Sequence, residues 1–120
     1  MSQFSTIIER ADDARSRIRE IAQVDLAALG KDWTFLDVRD QEEFKSGHFP
    51  DSIHLPLTDL EHRVISLIPE KSKKIVTVCA AGHRSAIAAD LLQSLGYAEV
   101  VSLQGGLTEY LKQFELSKVA

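Results

Sequence analysis

At 120 residues, 44% of them hydrophobic and 27% charged, the chain has the size and make-up of one globular domain built on one core. Its formal net charge of -4 offers no basic surface and sets aside nucleic acid and anionic membranes as partners. One cysteine allows no intramolecular disulfide and no cysteine pair at zinc-ligand spacing, and neither a leader-type N-terminus nor a bilayer-length apolar run is present, so the expected location is the cytoplasm.

Residues 5–17 place Ile7, Ile8, Ala11 and Ala14, followed by Ile18, at helical spacing, with Ser5 available as the cap. We read 1–17 as an N-terminal helical extension, appended to a main domain over 18–120. A short extended piece follows at Arg19-Glu20-Ile21, then a short helix over Val24 to Leu29 that Gly30 terminates. Thr34 to Val38 is apolar and β-branched enough for a buried strand. Gln41 to Ser46 is a short helix stopped by Gly47, and Pro50 and Pro56 bracket an extended stretch at 52–55. A helix from Thr58 to Leu67 offers Leu60, Val64, Ile65 and Leu67 to its buried side and ends before Pro69. Ile75-Val76-Thr77-Val78-Cys79 is the strongest strand signal, and Ser85 to Leu95 a helix closed by Gly96. A strand at Glu99 to Leu103, a Gly105-Gly106 turn and a helix through Phe114 complete the chain. Short apolar strands alternating with helices predict an α/β fold, a parallel sheet with helices on both faces.

The segment Val78-Cys79-Ala80-Ala81-Gly82-His83-Arg84-Ser85 passes from a buried strand into a helix, which puts Cys79 at the carboxyl end of a parallel strand, where open α/β sheets bind ligands. Ala80, Ala81 and Gly82 are small enough for the backbone to curl and turn its N–H groups toward one point at the helix N-terminus. Arg84 adds a permanent cation, and Ser85 is placed to cap the helix or to hydrogen-bond the sulfur. Each feature stabilises negative charge on sulfur, so Cys79 is read as a nucleophile rather than as a small buried hydrophobe.

The loop resembles the Cys-x-x-Gly-x-Arg-Ser pattern of rhodanese-like domains. Further matches are Leu36-Asp37-Val38-Arg39 with Glu43-Phe44, Gly47-His48-Phe49-Pro50 with Leu55-Pro56, and Leu103-x-Gly105-Gly106. The resemblance runs from about Ile18 to Phe114. It implies a central five-stranded parallel sheet and a sulfurtransferase that carries sulfane sulfur as a persulfide on Cys79. It also implies that Ala80, Ala81, Gly82, His83, Arg84 and Ser85 form the substrate loop, with Asp37 and Arg39 lying nearby to brace it. The chain departs from the family at Phe49, at Asp51-Ser52 where Gly-Ala is usual, at Tyr110 where Trp is usual, and at Ala80, where many members place Arg or another polar residue.

No cofactor and no metal is expected, since thiolate and backbone dipoles suffice for sulfur transfer. The partners expected are a small sulfur donor and a thiol or cyanide-type acceptor, or a partner protein's persulfide. With Ala80 adding no charge, the entrance suits a persulfide better than the thiosulfate dianion. Arg39 and Glu43 are spaced to pair across one helical turn. His48 is read as a structural tie of the Gly47 turn and His83 as a rim residue. His54 and His62 give no metal or base spacing, and Lys71, Lys73 and Lys74 read as a solvated turn. Two rival readings remain: a non-catalytic or regulatory rhodanese-like binding module, and a cysteine phosphatase or arsenate reductase, whose loop places one more residue between Cys and Arg than the four found here.

Overall fold

The computed structural model describes residues 6–114. In chain order the elements are α1 (Ile7–Arg15), β1 (Arg19–Ile21), a 3-10 helix (Gln23–Leu29), β2 (Thr34–Asp37), α2 (Gln41–Lys45), β3 (Ile53–His54), a short 3-10 turn (Leu57–Asp59), α3 (Leu60–Leu67), β4 (Lys74–Val78), α4 (His83–Ser94), β5 (Glu99–Leu103) and α5 (Gly106–Gln113). All strand pairs are parallel, in the order β1-β5-β4-β2-β3. The strongest strand of the sequence, β4, therefore lies at the centre, with β5 on one side and β2 on the other.

The apolar runs of the strands are explained by burial on both faces. Alternate residues serve opposite layers. Leu36, Val38, Ile75 and Cys79 pack with Leu60, Val64, Ala88 and Leu92 of α3 and α4. Val76, Val78, Val101 and Leu103 pack with Leu107 of α5 and, through Leu26 and Leu29, the 3-10 helix. Fully buried leucines such as Leu36, Leu60 and Leu92 contribute about 2 kcal/mol each.

The buried side of α3 is narrower than the sequence suggests. Leu60, Val64 and Ile68 repeat every fourth residue and are buried, whereas Ile65 and Leu67 are turned out and stand 52% and 40% exposed. Ser5 lies outside the described residues; the cap of α1 is Thr6, whose hydroxyl accepts the Glu9 N–H at 3.0 Å. Helix α1 lies against α4 through Ala11 and Ala14, 0% and 2% exposed, since small side chains permit close helix approach. Arg17 fixes the next turn by donating to both oxygens of Asp90 on α4 at 3.0 and 2.9 Å.

Asp51 has a left-handed φ of 62°, the conformation glycine adopts without strain and Asp tolerates better than most residues. Tyr110 stands edge-on to Phe49, their centroids 4.7 Å apart, and Phe49 meets Phe35 at the same distance. These three departures from the resembled family, at Phe49, Asp51 and Tyr110, thus settle into local backbone and packing.

Candidate functional site

Cys79 follows β4 directly and is 1% exposed, at the foot of a cavity of about 270 Å³ lined also by Ile7, Ala80, Ala81, His83 and Arg84. Two backbone donors meet its sulfur: Gly82 N–H at 3.1 Å and Ser85 N–H at 3.2 Å. Gly82 makes this possible with a φ of 94°, which lets α4 start at His83, two residues earlier than the sequence reading places it. A side chain there would put its Cβ 3.0 Å from the Gly105 nitrogen. Donors converging on sulfur at a helix N-terminus stabilise negative charge, as an oxyanion hole does for oxygen.

The loop is held from outside by the double glycine. Leu107 and Thr108, in the first turn of α5, donate their N–H groups to the carbonyls of Cys79 and Ala80, both at 2.9 Å. Drawing those carbonyls toward α5 leaves the N–H side of the loop facing the sulfur. Only glycine fits at 106, where an added Cβ would lie 2.4 Å from the Cys79 oxygen.

Two side chains behave differently from the expectation. The Ser85 hydroxyl neither caps the helix nor reaches sulfur; it bonds the Ser102 hydroxyl at 2.8 Å in the buried interior, and Thr77 Oγ1 donates to the Ser85 carbonyl at 2.8 Å. Ser85 serves the sulfur through its backbone instead. Arg84 is not free. Its Nη1 and Nη2 donate to Glu43 Oε1 and Oε2 at 2.7 and 2.9 Å. The hydrogen bond from Arg84 holds the Glu43 carboxyl at about 2, far below its ordinary range, and the same bond raises Arg84.

Glu43 therefore does not pair with Arg39. That guanidinium is buried against Asp37, with Nη2 to Oδ2 at 2.8 Å and Nε to Oδ1 at 3.0 Å, and Nη2 also reaches the Gly47 carbonyl at 2.7 Å. Asp37 lies beside Val78 in the sheet register, so this pair sits one strand over from Cys79 and anchors the turn after α2. His48 donates from Nδ1 to the Phe44 carbonyl at 2.7 Å, the structural tie expected of it, and His54 donates from Nε2 to the Arg39 carbonyl at 2.8 Å.

Sequence reasoning missed Arg15. From α1 its Nη2 donates to the Gly82 carbonyl at 3.0 Å and to His83 Nδ1 at 3.2 Å. A guanidinium has no acceptor, so this contact makes His83 Nδ1 the acceptor and puts the ring proton on Nε2. No local signal marks a contact between residues 67 positions apart. The Glu43 pairing left a fainter trace: Asp40-x-x-Glu43 is a capping box, observed at the start of α2, and a glutamate fixed there is held where Arg84 arrives.

A family model for the rhodanese-like domain matches residues 22–113. The thiosulfate sulfurtransferase PspE of Escherichia coli is 29% identical over 85 residues, covering 71% of this chain and 77% of that protein. A rhodanese-related protein of Thermoplasma volcanium superposes with a TM-score of 0.72 at 34% identity, covering 79% of this chain and 92% of the other. A Rhodopseudomonas palustris protein of unknown function, described as a possible tyrosine phosphatase, superposes with a TM-score of 0.81 at 29% identity, covering 93% and 95%. Two other curated relatives are much longer, and the chain spans only 20% and 42% of their length. With its parallel sheet, its loop at the end of the central strand and a family match over most of its length, this chain belongs to the rhodanese-like domain family.

Proposed function

We propose that the protein is a sulfurtransferase that carries sulfane sulfur on Cys79. One observation carries the reading: the only sulfhydryl of the chain lies at the carboxyl end of the central strand with the N–H groups of Gly82 and Ser85 at 3.1 and 3.2 Å from its sulfur. In the first half-reaction the Cys79 thiolate attacks the outer sulfur of a persulfide or thiosulfate. A new S–S bond forms on Cys79, the donor's S–S bond breaks, and its electron pair leaves with a thiolate or with sulfite. In the second, an acceptor thiolate attacks the outer sulfur of the Cys79 persulfide, and Cys79 leaves as thiolate. No electrons are gained or lost overall, and no further group is needed.

Phosphatase chemistry is the reading to weigh against it, given the R. palustris relative. It needs an arginine turned into the loop to hold a tetrahedral oxyanion. Here both terminal nitrogens of Arg84 bind Glu43, and the four residues between Cys79 and Arg84 make a cradle suited to one sulfur atom.

The test is intact mass spectrometry before and after exposure to thiosulfate, mercaptopyruvate or a persulfide. The protein should gain one sulfur atom, lose it to cyanide or a thiol, and gain none as the Cys79→Ser variant. Robust hydrolysis of an aryl phosphate by the unmodified protein, without sulfur loading, would overturn the reading.

A further inference from the structure

Resting on the persulfide reading, we propose that α1 is the recognition wall of the sulfur site, and that Ile7 and Arg10 select a donor whose sulfane sulfur is carried by a small organic thiol bearing a carboxylate. A second cavity, of about 320 Å³, lies beside the one over Cys79 and is lined by Arg10, Val38, Asp40, Pro56, Leu57 and Thr58. Ile7 and Arg84 line both, so the two cavities adjoin beside the first turns of α1. Each is far larger than the roughly 30 Å³ share of a water molecule, and together they exceed what an inorganic donor fills.

The walls are apolar where the organic part of a donor would lie. Ile7 is 41% exposed, and Val38, Pro56 and Leu57 face the same space. An exposed isoleucine beside a nucleophile is unexplained by packing and is the kind of surface a carbon skeleton covers.

The charges narrow the donor further. Arg84 is taken by Glu43, Arg39 by Asp37, Arg17 by Asp13 and Asp90, and Arg15 by Asp12 and Glu20. Arg10, three residues after Ile7 and so on the same helix face, makes no ion pair among the described residues. It is exposed and lines the entrance. Its planar fork matches a carboxylate bidentately. Asp40 lines the same cavity, and its Oδ1 accepts the Glu43 N–H at 3.0 Å. Its negative charge counts against a compact dianion such as thiosulfate and leaves room for a donor with one anionic end.

Loading of Cys79 should be followed by quenched mass spectrometry with cysteine persulfide, which bears a carboxylate, and with the persulfide of 2-mercaptoethanol, which does not. The wild type should prefer the first. Arg10→Gln should lower this preference, as a ratio of kcat/KM, by about tenfold, chiefly through KM, and Arg10→Lys should restore part of it. Ile7→Ala should weaken both persulfides relative to thiosulfate. If Cys79 loads readily but Arg10→Gln leaves the ratio between the two persulfides unchanged, the recognition wall is refuted while the persulfide reading stands. If no donor loads Cys79, both fall.

Discussion

Glu43 holds two positions at once. Its Oε1 accepts the Asp40 N–H at 3.2 Å in the capping box of α2 and takes Arg84 at 2.7 Å. Replacing it with glutamine keeps a capping side chain and removes the charge. Because the ion pair holds the carboxyl at about 2 instead of 4.5, its stabilisation is complete above about pH 4.5 and is lost as the pH falls toward 2. Both side chains are 30% exposed, and solvent screening limits the contribution to about 1 kcal/mol. Glu43→Gln should therefore unfold in less urea at pH 7, and the gap to wild type should close as the pH is lowered through the range below 4.5. The same change releases Arg84 toward the loop, so kcat/KM for thiosulfate should rise severalfold.

The elements meet at the loop through backbone as much as through side chains. Helix α5 draws the Cys79 and Ala80 carbonyls toward itself across a glycine that leaves no space for a methyl group. Gly106→Ala should displace the loop, cost on the order of 2 kcal/mol in chemical unfolding, and slow sulfur loading at least tenfold. The β2 end is held differently, by a buried charge pair. Asp37 is 1% exposed and Arg39 6%, so removing the cation alone strands a carboxylate in the interior. Arg39→Met should cost about 3–5 kcal/mol. Adding Asp37→Leu to it should recover much of that loss, because the pair's desolvation disappears with both charges. A double variant as unstable as the sum of the singles would show that the two residues act separately.

Across the whole molecule, the net charge of -4 sets a field that repels a dianionic donor before it reaches the loop. For thiosulfate, kcat/KM should rise as salt screens that field, since the Debye length falls from about 30 Å at 0.01 M to about 10 Å at 0.1 M. Ala80→Arg should raise kcat/KM for thiosulfate selectively and flatten its salt dependence. An arginine without effect on either would remove electrostatics from the account of donor choice. The described residues include no helix long and apolar enough to cross a membrane.

What the sequence determined by itself was local or periodic. The β4 run, the glycine stops and the loop from Cys79 to Ser85 were legible because strand burial, helix termination and loop curling each depend on a few neighbouring residues. From these, with the family resemblance, the five-stranded parallel sheet and the place of Cys79 at the end of its central strand followed. Partner choice was decided only by the tertiary structure. Whether Arg84 meets an anion or Glu43, whether Arg39 binds Glu43 or Asp37, and whether the Ser85 hydroxyl turns to sulfur or to Ser102 depends on what folding brings within 3 Å. Each of these groups has several acceptors at plausible spacing along the chain, and hydrogen bonding is too short-ranged for spacing alone to choose among them. The same holds for α1. Its small buried face at Ala11 and Ala14 marks a helix, but only its seat on α4 carries Arg15 to the Gly82 carbonyl and Ile7 and Arg10 to the entrance of the sulfur site.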